Sequence, residues 1–240
     1  MISVIIPVYN NEGALDTLYC RLSNVLSAIK EGYELIFIDD ASKDAGFALL
    51  GSLHNKDSRV KIIKLRKNSG QARAVLAGLH YVKGDIIILI DADLQYSPED
   101  IPLLLNKISQ GYKVVFGWRK ERKDRFFPRK LPSYLANIYA KIKLNTNIKD
   151  IGCTFMAFNR DIISSLDSYS NATLFLKPLL IKLTNNISEV EVAHYPRMSG
   201  LSQYGLVKLI KIALDFAMNF SFRRLRNNRF SPSIIEKTIG

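Results

Sequence analysis

The sequence predicts an α/β protein, a Rossmann-like doubly wound, mostly parallel sheet with flanking helices, and three observations lead there. Short β-rich runs recur at residues 3–7, 34–38, 60–65 and 86–90, separated by helical patterns. That alternation is the one expected of parallel strands joined by crossover helices of about ten residues or more. The run 86–90 is apolar at every position, so both of its faces must be covered, as in the centre of a parallel sheet. Each run then ends in polar residues: Tyr9-Asn10-Asn11, Asp39-Asp40, Asn68-Ser69-Gly70 and Asp91-Ala92-Asp93. In open α/β sheets ligands collect at that carboxyl edge.

Each element has its own justification. After the first strand, Leu15, Leu18, Leu22, Val25, Leu26 and Ile29 recur at helical spacing. The second strand runs into Asp39 and Asp40, with Ser42 and Asp44 starting a further turn. Gly70 lets the backbone approach a ligand, and a helix follows from about residue 72 to 81. Ser97-Pro98-Glu99-Asp100 reads as a helix start. In the second half, 114–117 is a fifth strand, and the charged stretch from Trp118 to Lys130 is a basic loop. A helix is expected over 133–144, a β segment over 152–158 with Asp150 near its end, a helix over 174–183 despite Pro178, and a short strand over 190–194.

Residues 206–222 form a helical pattern of their own. Lys208, Lys211, Asp215 and Asn219 lie on one narrow stripe of an otherwise apolar helix, and Arg223, Arg224, Arg226 and Arg229 follow. A helix lying in a membrane interface reads this way, with its cations on head groups. A helix packed on a core or on a second copy reads the same way.

The 240 residues suffice for one large α/β domain. A net charge of +12 favours an anionic partner, whether nucleic acid, phospholipid or a phosphorylated substrate. Cys20 and Cys153 suggest neither a disulfide framework nor a zinc site. The opening MISVIIPVYN carries no basic leader, and no stretch has the ~18 apolar residues of a spanning helix. A cytoplasmic location is expected. Neither a Gly-x-Gly-x-x-Gly fingerprint nor a Walker motif is present. His54, His80 and His194 are scattered without ligand spacing and receive no role. Asp91-Ala92-Asp93 by itself is either an acidic turn or a metal clamp over a nucleotide.

Taken together, Pro7-Val8-Tyr9-Asn10, Asp39-Asp40, Asn68-Ser69-Gly70, Asp91-Ala92-Asp93-Leu94-Gln95, Asp150-Ile151-Gly152-Cys153 and Arg197 with Gly200 and Ser202 resemble family 2 glycosyltransferases of the GT-A fold. The likeness is to the polyprenyl-phosphate branch, the dolichyl-phosphate mannose synthases and undecaprenyl-phosphate glycosyltransferases, over about residues 2–220. It implies an inverting, metal-dependent transferase that moves a sugar from a UDP- or GDP-sugar to a polyprenyl phosphate. On this resemblance Pro7, Tyr9, Asp39, Gly70 and Arg73 hold the nucleotide, with Asp40, Asp91 and Ala92 beside them, and Arg197 and Ser202 close on the donor. Asp91, Asp93 and Gln95 hold Mg²⁺ or Mn²⁺, with Asp91 and Asp93 catalytic. Arg119, Arg129 and Ser133 grip the lipid phosphate. The family usually has Tyr-Asn-Glu in the first loop, whereas Asn11 precedes Glu12 here, so the glutamate contact is either lost or supplied by its neighbour.

The chemistry agrees with these residue types. A lipid phosphate is already an anionic nucleophile and needs donors to aim it rather than a strong base. A neutral hydroxyl acceptor, on a saccharide or a protein, would need a carboxylate base, and Asp150 is the candidate. A non-catalytic module binding nucleic acid through its basic charge, with Trp118 among the cations, is the alternative from another class; no nucleic-acid motif accompanies it. The expected organisation is a catalytic domain over 1–205, with a nucleotide-sugar half to about 95 and an acceptor half beyond, then an interfacial helix and basic polar tail over 206–240. This implies peripheral attachment to the inner face of the membrane, and leaves a homo-oligomer open.

Overall fold

The computed structural model describes residues 1–120, 146–166, 176–196 and 235–240. In chain order these form β1 (Ile2–Val8), α1 (Glu12–Ser27), β2 (Tyr33–Asp39), α2 (Gly46–Lys56), β3 (Val60–Leu65), α3 (Gln71–Leu79), β4 (Ile86–Leu89), α4 (Ile101–Ser109) and β5 (Val114–Trp118). Then follow β6 (Met156–Asn159), the short α5 (Ile163–Leu166), α6 (Leu176–Leu183), β7 (Ile187–Glu191) and β8 (Ile235–Ile239). One sheet contains all eight strands in the order β7-β5-β6-β4-β1-β2-β3-β8. β6 pairs antiparallel with both β4 and β5, and β8 antiparallel with β3, while the other pairings are parallel.

This topology decides where the chemistry sits. The carboxyl ends of β1 to β5 and of β7 share one edge. Because β6 runs backwards, its entry, residues 150–155, opens on that same edge. Among the described residues, polar motifs that are far apart in sequence are thereby brought to one rim.

Strand alternation sorts the core into two layers. Val4, Ile6, Leu35 and Phe37 face Leu15 and Leu18 of α1, Leu50 and Leu53 of α2 and Leu104 of α4. Ile5, Ile36 and Ile38 point the other way, onto Ala74 and Val75 of α3 and Leu179 and Leu180 of α6. Period-2 alternation in a strand covered on both sides produces this division.

Several boundaries differ from the sequence expectation for identifiable reasons. A full helix, α2, fills 46–56, where only a turn was read. The expected strand over 152–158 begins at Met156, because the residues before it are taken up by the turn that presents Asp150. β7 starts at Ile187, earlier than expected, and the residues after it cross to other partners at the rim. Pro178 lies within α6, as expected. Residues 235–239, expected to belong to a polar tail, instead extend the sheet beside β3. The helix expected over 133–144 and the amphipathic helix over 206–222 lie outside the described residues. Among the described residues no helix is long and apolar enough to cross a membrane.

At the opposite edge of the sheet a buried carboxylate ties three strands together. Glu34 accepts from the Ser3 hydroxyl at 2.5 Å, from the Lys83 N–H at 2.7 Å and from the Lys61 ammonium. Gly84 N–H in turn donates to Ser3 Oγ at 2.8 Å, an approach only glycine permits, since a Cβ there would stand 2.6 Å from Ser3 N. Burial alone would raise the Glu34 carboxyl; Lys61, Ser3 and the Lys83 N–H outweigh it and hold it below the usual carboxylate range. Because the folded value is the lower one, the stabilisation is present above the ordinary pKa of about 4.3 and fades as pH falls below it. Glu34→Gln is expected to cost about 2 kcal/mol at neutral pH and less in acid, read from urea midpoints. An equal penalty at both pH values would exclude the carboxylate charge as its cause.

Candidate active site

Among the described residues three non-glycines adopt the left-handed conformation, Asn10 (φ 52°), Ala41 (φ 58°) and Leu94 (φ 57°), and all three lie at the rim just after β1, β2 and β4. Such residues are held there at a cost of order 1 kcal/mol or more each and concentrate at functional sites. The first two loops are also stitched to each other. Asn10 N–H donates to Ser42 Oγ at 3.1 Å, and Asn10 Oδ1 accepts from Lys43 N–H at 2.8 Å.

The two acids that end β2 have different partners. Asp40 accepts from Ser69 N–H at 2.7 Å and Gly70 N–H at 2.8 Å, so its carboxylate holds the glycine turn in place. Asp39 is fully buried; its Oδ1 accepts from Ser42 N–H at 3.2 Å. Its Oδ2 has no hydrogen-bond partner among the described residues, and burial raises its pKa. A buried carboxylate oxygen without a donor is uncommon and marks a place for a ligand N–H or O–H. Gly70 (φ 88°), held by Asp40, has open space where a Cβ would go. Pro7 and Tyr9 are partly buried at the end of β1, and Arg73 is exposed in the first turn of α3.

Glu12 has a local partner instead. Its Oε2 accepts from Ala45 N–H at 2.6 Å, and its N–H donates to Asp44 Oδ2 at 3.0 Å. The side chain thus joins the start of α1 to the start of α2. Asn11 Oδ1 accepts from Tyr9 N–H at 3.3 Å, shaping the same loop.

The acidic motif follows β4. Asp91 Oδ1 accepts from Gln71 Nε2 and Oδ2 from Thr154 Oγ1, both at 2.6 Å. Its carboxylate is therefore fixed between α3 and the entry to β6. Ala92 is buried beneath it. Asp93 is buried with Oδ1 accepting from Gln95 N–H at 3.1 Å, a tight turn that the left-handed Leu94 makes possible. Gln95 Nε2 lies 3.4 Å from His194 Nε2. The stretch after β7 is pinned here by Tyr195 N–H to Gln95 O at 2.9 Å and Ala193 N–H to Asp100 Oδ2 at 2.7 Å. His194, which had no role in the sequence reading, is thus at the centre of the site, packed edge-on against Tyr96.

Hard oxygen donors at Asp91, Asp93 and Gln95 fit Mg²⁺ or Mn²⁺. Among the described residues no cluster of three or more His, Cys, Asp or Glu is placed to hold a metal. A cation at this motif would complete its shell with substrate phosphate oxygens, as Mg²⁺ commonly does.

At the end of β5, Arg119 forms a bidentate pair with Asp150, Nε to Oδ2 at 2.7 Å and Nη2 to Oδ1 at 3.0 Å. The side chains are only 8% and 7% exposed. Gly152 N–H adds a further bond to Asp150 Oδ1 at 3.1 Å. Trp118, the candidate stacking residue for nucleic acid, carries the Lys149 ammonium 4.3 Å over its ring. Arg129, Ser133, Arg197 and Ser202 lie outside the described residues.

The rim therefore brings together Asp39, Asp91, Asp93, Gln95, Arg119 and Asp150 as the sequence indicated, and adds Gln71, Thr154 and His194. Gln71 and Thr154 each directly follow a recognised motif, so a sequence signal existed for both. For His194 the signal is its place three residues before Arg197. A family model described as glycosyl transferase family 2 matches residues 3–167. The chain belongs to glycosyl transferase family 2. Within that family it is 35% identical over 227 residues to the undecaprenyl-phosphate 4-deoxy-4-formamido-L-arabinose transferase of Aeromonas hydrophila, covering 94% of this chain and 69% of the relative. The enzyme of the same name from Pseudomonas aeruginosa is 34% identical, with 94% and 67% covered. Among solved structures, glucosyl-3-phosphoglycerate synthase from Mycobacterium tuberculosis, crystallised with Mn²⁺, UDP and glucosyl-3-phosphoglycerate, aligns with a TM-score of 0.64. At 18% identity over 90% of this chain and 77% of that one, this likeness concerns the fold, which is GT-A. The chain is a glycosyltransferase.

Proposed function

We propose that this glycosyltransferase transfers a sugar from a nucleotide diphosphate donor to a polyprenyl phosphate, inverting the anomeric carbon. The observation that carries the reading is the state of Asp150. Both of its oxygens are engaged by a buried guanidinium, which favours the ionised form and makes it a poor proton acceptor. A hydroxyl acceptor would need a base there; a phosphate that arrives ionised does not. The names of the Aeromonas and Pseudomonas relatives support the same acceptor class.

In this reading the unpartnered Asp39 Oδ2 accepts an N–H from the nucleobase, and Pro7, Tyr9, Gly70 and Arg73 line the nucleoside. Asp91, held by Gln71 and Thr154, stands on the diphosphate side. A divalent cation held by Asp91, Asp93 and Gln95 would neutralise the charge that builds on the departing diphosphate. Arg119, with Arg129 and Ser133, aims a phosphate oxygen at the sugar's anomeric carbon; the new C–O bond forms as the bond to the diphosphate oxygen breaks, so no proton has to move. In the same reading Arg197 and Ser202 serve the donor, and the amphipathic stretch 206–222 serves attachment to the membrane surface.

A panel of labelled UDP- and GDP-sugars, headed by the sugar named for the relatives, tests the proposal with Mn²⁺ or Mg²⁺ and undecaprenyl phosphate in vesicles. Label is expected in the lipid extract, with the enzyme co-floating with the vesicles. Label confined to a water-soluble glycan would reject the acceptor. With the donor so found, Asp39→Asn is expected to weaken donor binding by about 10- to 100-fold, the worth of one charge-assisted hydrogen bond. Its stability should not fall, since the substitution removes a buried charge. Calorimetric donor affinity equal to that of the parent would remove Asp39 from the nucleotide pocket.

A further inference from the structure

A lysine that the proposed chemistry leaves unused stands directly behind the Arg119–Asp150 pair. Lys177, in α6, is 4% exposed. Its Nζ donates to the Asp150 carbonyl at 2.6 Å and reaches the carbonyls of Gly117 and Cys153 at 3.5 Å each. It also sits 4.4 Å from the centroid of the Phe116 ring. An ammonium has three donors, and here three carbonyls and a ring face surround it, so none is left for substrate.

Such burial is costly. A buried ammonium carries a penalty of several kcal/mol, where a Leu or Met would pack at little cost. Among the described residues Lys177 forms no salt bridge with a carboxylate. What it does form is a brace between two segments. Gly117 lies near the end of β5, two residues before Arg119, whereas Asp150 and Cys153 belong to the turn entering β6. The brace fixes both backbones from which the ion pair projects.

We propose that Lys177 is a positioning residue for the anionic acceptor. It holds the Gly117 and Asp150 segments so that the Arg119 guanidinium stays in place at the rim. The inference rests on the polyprenyl-phosphate reading of the site.

The test varies both substrates with full-length enzyme, undecaprenyl phosphate and the donor selected above, for Lys177→Met, which keeps length without charge, and Lys177→Arg, which keeps charge. In Lys177→Met the acceptor KM is expected to rise about tenfold or more, while the donor KM moves less than about twofold. Lys177→Arg should recover most of the acceptor KM. An unmoved acceptor KM in Lys177→Met, or equal losses for both substrates, overturns the proposal. Failure of both variants to fold also overturns it, because Lys177 is then a determinant of the fold alone. If the parent enzyme itself forms no lipid product, the acceptor reading fails and takes this inference with it; a parent that makes product beside a Lys177→Met variant with unchanged KM values refutes the inference alone.

Discussion

Asp93→Asn is expected to lower kcat for sugar transfer by about 10²- to 10³-fold, the scale of removing one preorganised electrostatic contact to a developing charge. Asparagine keeps the shape and the Oδ1 acceptor that turns the chain at Gln95, so the fold should survive with its urea midpoint nearly unchanged. What is lost is the negative charge that, in the proposed reading, would face a divalent cation. Chelation should abolish activity in the parent, and Mg²⁺ or Mn²⁺ should restore it. In the variant, restoration should require more metal. A variant that retained half of the parent's kcat would show that Asp93 is no part of the metal site. Gln71→Ala and Thr154→Ala act one step back, by releasing Asp91 from the two 2.6 Å bonds that aim it.

The second large effect is on stability. Asp150→Asn leaves the Arg119 guanidinium buried without its carboxylate, and breaking a buried pair from one side costs about 3–5 kcal/mol. Urea unfolding should register that loss. The double variant Arg119→Met with Asp150→Leu should regain much of it, because apolar replacement of a buried pair is often neutral or better. The double variant should nonetheless fail to transfer sugar to polyprenyl phosphate. Transfer at the parent's rate would reduce the pair to a packing element. A hydroxyl acceptor predicts another pattern, in which Asp150→Asn alone abolishes turnover and Arg129→Ala barely matters.

Much of this site was legible because it is written in strand ends. The apolar run into Asp91 and Asp93, the Asp39-Asp40 pair and the turn at Gly70 each show both a strand and its carboxyl terminus, and the α/β alternation places such ends on one edge. Less legible were residues whose role depends on a partner distant in sequence. Asp40 and Asp39 are adjacent and chemically identical, yet one clamps Ser69 and Gly70 while the other keeps an oxygen unpartnered. Glu12 is a candidate nucleotide contact by its motif, while its Oε2 accepts from Ala45 N–H, 33 residues away. His194 could not be placed because Gln95 lies 99 residues away. Lys177 had no signal at all, sitting in an apolar helix where a lysine reads as a solvated side chain.

The sequence by itself determined the fold class, the order of most elements and the family, because hydrophobic periodicity and short motifs are local properties. It also determined the residue types at the rim. Only the tertiary structure decided how they are used. The reversed direction of β6 brings Asp150 and Thr154 to the same edge as Asp91, β7 delivers His194, and β8 closes the far side of the sheet against β3. Strand direction and sheet order follow from long-range pairing, and long-range pairing selects which carboxylate is bound by the protein and which is left for a ligand.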